Sequence, residues 1–173
     1  MSRGSSGNGK ISRINKTGLT FGLVTLIIFI VVRLFCDNSY EMIHKFDTSD
    51  IIPPLWLLNL LTFVWGFLIG YAAGSVIDCV MHSGASINLE IAAYRGGLFF
   101  LTLFFLSQTW YCIFFQGGHL FIALLIIVIA LLSSIICAYF WYSALKTSAL
   151  IIGAYRIWLF YLIILNASVL LHI

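Results

Sequence analysis

Five long stretches of the chain hold almost no residue that prefers water. They run over about 17–36, 51–80, 96–115, 120–145 and 148–173, separated by short polar segments. About 20 consecutive, mostly apolar residues suffice for a helix to cross a bilayer. The runs are continuous rather than alternating, and too long for barrel strands. The pattern predicts an all-α fold, an integral membrane bundle of five transmembrane helices. Residues 1–16 form a polar, basic tail and 17–173 one transmembrane domain.

The connections set the packing order. "DNSYEMIHKFDTSD" is the longest and is acidic; "MHSGASINLEIAAYR" is of moderate length, with room for an amphipathic turn. "QGGH" and "KTS" are so short that the spans they join must run antiparallel, side by side. Thr147 or Ser148 is expected to cap the last helix. Pro53 and Pro54 suit a helix start, where a missing N–H donor is harmless, and Trp56 then lies near the interface.

Composition agrees with the pattern: 62% of residues are hydrophobic and 9% charged, far from the roughly 25% charge of a soluble domain. Lys and Arg favour the cytoplasmic side. Arg3, Lys10, Arg13, Lys16, Arg95 and Lys146 fall on one side of a five-span bundle, and Arg33 and Lys45 on the other. The asymmetry predicts a multi-pass protein with its N-terminus in the cytoplasm and its C-terminus outside. Cys36, Cys79, Cys112 and Cys137 show no metal-ligand spacing and read as small buried hydrophobes. The four histidines fall in loops or at chain ends. No phosphate loop, nucleic-acid stripe or catalytic set is present, so the reading leans away from an enzyme, with no catalytic residue, no metal and no nucleic-acid partner.

Polar groups inside the spans carry the remaining signal. Gly66, Gly70 and Gly74 recur every fourth residue and form a smooth ridge for helix packing, within the monomer or between two copies. Ser107, Gln108 and Trp110 bring hydrogen-bonding groups to lipid depth, where such groups face other helices or a cavity. In the last span Tyr155, Trp158, Leu162 and Asn166 share one face. Arg156 falls beside that face, about 12 Å in from Ser148. It is expected to snorkel, to pair with Asp78 or Glu90, or to bind an anion.

Together these blocks resemble the TspO family, the tryptophan-rich sensory proteins of bacteria and the mitochondrial translocator protein. The resemblance rests on "PPLW" at Pro53–Trp56, on "WYCIFF" at Trp110–Phe115, and on Tyr155, Trp158, Leu165 and Asn166. It runs from Thr17 nearly to the end. Departures mark a divergent member. Leu58, Thr62 and Gly66 stand where the family has Phe, Trp and Tyr, although a tryptophan follows at Trp65. Ser107 replaces an Asn, Ala154 a Pro, and Tyr161-Leu162 a Phe-Ala pair.

The resemblance implies a five-helix bundle, often a homodimer, enclosing a pocket for porphyrin or haem and, in some members, sterols. No cofactor is required. Carried over residue by residue, the ligand-binding candidates are Trp56, Trp110, Phe114, Tyr155, Trp158 and Asn166. Leu162 is expected to narrow the pocket. The implied role is sensing, sequestration or transport of a flat hydrophobic ligand by a protein in contact with the lipid bilayer. The alternative is a small transporter or channel subunit with a polar path at Arg156, Asn166 and Gln108. Porphyrin degradation through tryptophan radicals is a third reading, which no residue here requires.

Overall fold

A computed structural model describes residues 15–36, 53–82, 86–117 and 119–171. It holds five helices long and apolar enough to span a bilayer, and no strand among the described residues. They are α1 (Lys16–Phe35), α2 (Leu55–His82), α3 (Ile87–Cys112), α4 (Leu120–Ala144) and α5 (Lys146–Leu171). A wider π turn, Ile113–Gly117, closes α3.

The helix starts follow from local chemistry. Asn15 caps α1, its side chain accepting from the Gly18 N–H at 2.8 Å. Pro54 opens α2: its carbonyl accepts from the N–H groups of Leu57 and Leu58 at 2.8 and 3.2 Å. The third helix begins at Ile87, nine residues before the expected 96. "INLEIAAYR" was too mixed to count as span. Yet Ser86 stands at the N-cap, Glu90 sits in the first turn, where the helix dipole favours an acid, and Arg95 is exposed. The expected "KTS" link is also shorter: only Leu145, extended at φ −151° and ψ 106°, separates α4 from α5. Ser148 caps nothing. It is buried inside α5, and its hydroxyl donates to the Ala72 carbonyl of α2 at 2.9 Å.

Two groups of helices result. In the first, α1 lies along α2. The ridge of Gly66, Gly70 and Gly74 faces α1, and a Cβ at Gly74 would come within 2.6 Å of the Thr17 carbonyl oxygen. Gly18 and Gly22 of α1 answer from the other side, against Tyr71 and Phe67. Two bonds use this closeness: Thr25 Oγ1 donates to the Gly66 carbonyl at 2.9 Å, and Thr17 Oγ1 to Asp78 Oδ1 at 3.0 Å. The ridge thus serves packing within one chain.

In the second group, α3 and α5 flank α4. Gly96 of α3 admits the Trp141 ring, whose Nε1 donates to the Ala93 carbonyl at 3.3 Å. The groups meet chiefly through α2 and α5. At the end of the bundle where α1 and α3 finish, they are also joined covalently by a Cys36–Cys112 disulfide with Cα atoms 5.3 Å apart. This corrects the reading of all four cysteines as small hydrophobes; Cys79 and Cys137 alone stay free. Beside the disulfide, Gln116 Nε2 donates to the Phe35 carbonyl at 2.8 Å. Outward-facing positions carry large apolar side chains such as Leu23, Ile27, Phe105, Phe121 and Ile157, as a lipid-facing surface requires.

Candidate functional site

The polar and aromatic span residues converge where the two groups of helices meet. From α5, Tyr155 and Trp158 point inward, both buried because they share the face that packs on the bundle. Tyr155 donates its hydroxyl proton to Ser107 Oγ of α3 at 3.1 Å. Ser107 in turn donates to the Leu103 carbonyl at 2.8 Å, which sets the direction of the chain of bonds. The Trp65 ring of α2 lies 5.6 Å from that of Tyr155. Trp65 thus joins the aromatic wall.

From α3 come Gln108, Trp110 and Tyr111. Gln108 turns its side-chain nitrogen to a buried position with no partner among the described residues. Trp110 stacks on Phe114 with ring centroids 5.1 Å apart. The α1 contribution is Arg33, only 6% exposed, with its guanidinium carbon 3.9 Å from the Tyr111 ring centre and 5.4 Å from that of Phe115. A cation over an aromatic face is favourable, the more so away from water. The Thr62 hydroxyl of α2 is turned back to the Leu58 carbonyl at 2.7 Å.

These side chains enclose a cavity of about 20 Å³, lined among others by Arg33, Gln108, Trp110, Tyr155, Trp158 and Leu162. That is room for about one water molecule. Ligand pockets for drug-sized molecules occupy about 300–1,000 Å³. Among the described residues this cavity is therefore too small for such a ligand, and Leu162 is part of the wall that narrows it.

The predicted site residues separate into three groups. Trp110, Tyr155 and Trp158 line the cavity together. Phe114 and Asn166 are buried behind it. With its amide oriented by the surrounding donors and acceptors, Asn166 accepts from Trp110 Nε1 at 3.2 Å and from the Leu124 N–H at 3.0 Å. Its nitrogen donates to the Leu120 carbonyl at 3.1 Å. Asn166 thus holds the Trp110 ring and fastens α5 to the start of α4. Trp56 stands apart, 67% exposed at the start of α2 and outside the cavity wall.

Arg156 is corrected in two respects. It lies ten residues into α5, not eight, because the helix starts at Lys146. It pairs with neither Asp78 nor Glu90; its Nη2 donates to the Ser134 carbonyl of α4 at 3.4 Å. It lines a groove between α4 and α5, while Gln108 lines the cavity and Asn166 neither, so the three do not share one polar path.

Arg33 was missed because it was counted as a flanking charge. The signal was present: it falls inside the first span, three residues before Cys36, and a charge within a span asks for a partner.

A model of the TspO/MBR family matches residues 20–171, nearly the whole chain. No curated protein and no solved structure matches.

Proposed function

The chain belongs to the TspO/MBR family, and from that premise we propose that it takes a flat, carboxylate-bearing hydrophobic ligand of the tetrapyrrole class into its aromatic cavity. Sensing, sequestration and transport are the roles such binding serves. The observation that carries this reading is the convergence of Trp110, Tyr155 and Trp158 on one cavity that also holds two donors, Gln108 and Arg33. Aromatic faces offer stacking area to a flat ring. A guanidinium offers the paired N–H geometry that a carboxylate prefers. A sterol, with one hydroxyl, uses the second feature less well.

Binding there must widen the cavity, which holds about one water. The junction between the α1–α2 pair and the α3–α5 group is the place for it, because contacts there are sparser than within either group. Leu162 resists opening and sets an upper size for the ligand.

Orientation follows the same reasoning. Basic residues concentrate at the end where α1 begins, which favours the cytoplasm for the N-terminus. The Cys36–Cys112 disulfide then lies at the outer end, where thiols oxidise and stay oxidised. A homodimer would use a face other than the glycine ridge, which α1 already covers.

Titration of the detergent-solubilised protein with protoporphyrin IX tests the proposal. Tryptophan fluorescence should be quenched saturably, and Trp158→Ala should weaken binding several-fold. Unsaturable partitioning, unchanged in the variant, would remove the cavity as the site. A sterol that competes as well as the porphyrin would shift the ligand class.

A further inference from the structure

Arg156 is placed where an arginine needs a counter-charge. Lys146 to Arg156 is ten residues of helix, roughly 15 Å at 1.5 Å per residue. In a hydrocarbon core about 30 Å thick, that is near the midplane. Ser134, whose carbonyl it contacts, lies equally far from the end of α4. The interface is therefore beyond snorkelling reach. One hydrogen bond of 3.4 Å does not satisfy a guanidinium, and Nε is buried with no partner.

The chain supplies no carboxylate at that depth among the described residues; the Cys137 thiol of α4 lies close enough to Arg156 to feel its charge. Asp78 sits in the last turns of α2, where it takes the Thr17 hydroxyl and lies 3.3 Å from His82. Glu90 is exposed in the first turn of α3. A second copy would bring the same two acids to the same end of the bundle, far from Arg156. Asp37, Glu41, Asp47 and Asp50 all fall between the first and second spans, outside the described residues.

What Arg156 does face is a groove of about 1000 Å³ between α4 and α5, open toward the lipid. Ile135 and Ile157 border its deep end, and Tyr142 and Ser143 its shallow end. Lys146 Nζ stands 5.6 Å from the Tyr142 ring centre, so the mouth is cationic as well. The groove is a cleft with apolar walls, a positive entrance and a positive charge at its depth.

We propose that this groove is a lateral binding site for a single-chain carboxylate amphiphile, a long-chain fatty acid. Its carboxylate would pair with the Arg156 guanidinium at the deep end, and its tail would lie along the groove past Ala138, Tyr139, Gly153 and Leu150. Depth selects the occupant. A phospholipid phosphate is held in the headgroup layer, roughly 15 Å from the midplane. A single-chain acid gives its proton to water at the groove mouth, beside Lys146, and the resulting carboxylate then moves inward along the groove to Arg156. Carboxylate and guanidinium then meet in the two-pronged geometry that makes such pairs strong. The site is separate from the aromatic cavity and does not rest on the porphyrin reading.

The test uses the full chain in phosphatidylcholine nanodiscs with diazirine-tagged palmitic acid, mapping crosslinks by mass spectrometry. Crosslinks should saturate and concentrate in 135–143 and 149–157. Excess palmitate should compete and palmitate methyl ester should not. Arg156→Gln should weaken labelling about tenfold, the loss expected for one charged hydrogen-bonded contact, and Arg156→Lys should recover part of it. Gly153→Leu gives a second handle that leaves the charge intact. Gly153 borders the groove, and a Cβ there meets nothing within 4 Å, so the larger side chain fills the groove without disturbing the bundle. It too should abolish saturable labelling, while protoporphyrin quenching stays unchanged. Uniform labelling of all lipid-facing helices would overturn the proposal. So would equal competition by the methyl ester, or saturable labelling only by a diazirine-tagged anionic phospholipid.

Discussion

Adding one methyl group at different glycines should push stability in opposite directions. At Gly74, a Cβ would lie 2.6 Å from the Thr17 carbonyl oxygen, 2.8 Å from Phe21 Cβ and 2.9 Å from Gly18 Cα. Ordinary contacts begin near 3.4 Å. The obstructing atoms belong to backbone or sit next to it, so no side-chain rotation relieves the clash; α1 must move away as a body. Overpacking of this kind costs about 1–3 kcal/mol. Against it stands the better helix propensity of alanine, about 1 kcal/mol. The net expectation for Gly74→Ala is a loss of up to about 2 kcal/mol. Gly97 and Gly153 are the controls: a Cβ at either meets nothing within 4 Å. Gly97→Ala and Gly153→Ala should therefore gain up to about 1 kcal/mol from propensity alone. Thermal unfolding in detergent, followed by circular dichroism, would measure all three under one condition. A Gly74→Ala protein as stable as Gly97→Ala would refute the packing of α1 on this ridge. Normal stability combined with lost self-association would assign the ridge to a contact between copies.

Two further outcomes follow from contacts between helices. Alkylation of the unfolded, unreduced protein should modify two thiols, Cys79 and Cys137, and four after reduction; four before reduction would exclude the Cys36–Cys112 bond. The bond closes a 76-residue separation, for which chain entropy alone gives about 4.5 kcal/mol; the Cys36→Ser, Cys112→Ser double variant should unfold earlier by at most that amount, since membrane spans already restrict the unfolded chain. Replacing Asn166 with Leu removes the acceptor for Trp110 Nε1 and the donor to Leu120. A loss of about 1–3 kcal/mol is expected from the stranded groups, with a shifted Trp110 emission, and a variant as stable as the parent would show that Asn166 does not bridge these helices.

The number and order of the helices were legible because each span is a run of apolar residues long enough to need no other signal. The start of α3 was not. Its first turns carry Asn88, Glu90 and Arg95 at exposed positions, where they read as loop. Periodicity placed Tyr155, Trp158 and Asn166 on one face, and the family spacing added Trp110. Neither could tell cavity wall from supporting layer, since that depends on which ring stands in front. The same limit hid the small size of the cavity: about 20 Å³ is a difference between large packed volumes. The disulfide joins residues 76 apart, and nothing local in either sequence neighbourhood says that the ends of α1 and α3 meet.

That bond also changes the topology of the chain. From Cys36 to Cys112 the polypeptide is a closed covalent ring, with α2 and α3 inside the ring and α1, α4 and α5 leaving it as tails. A single break of the backbone between α2 and α3 would open the ring without separating the pieces. A protein nicked there would still migrate as one molecule, and would fall into two fragments only when reductant is added.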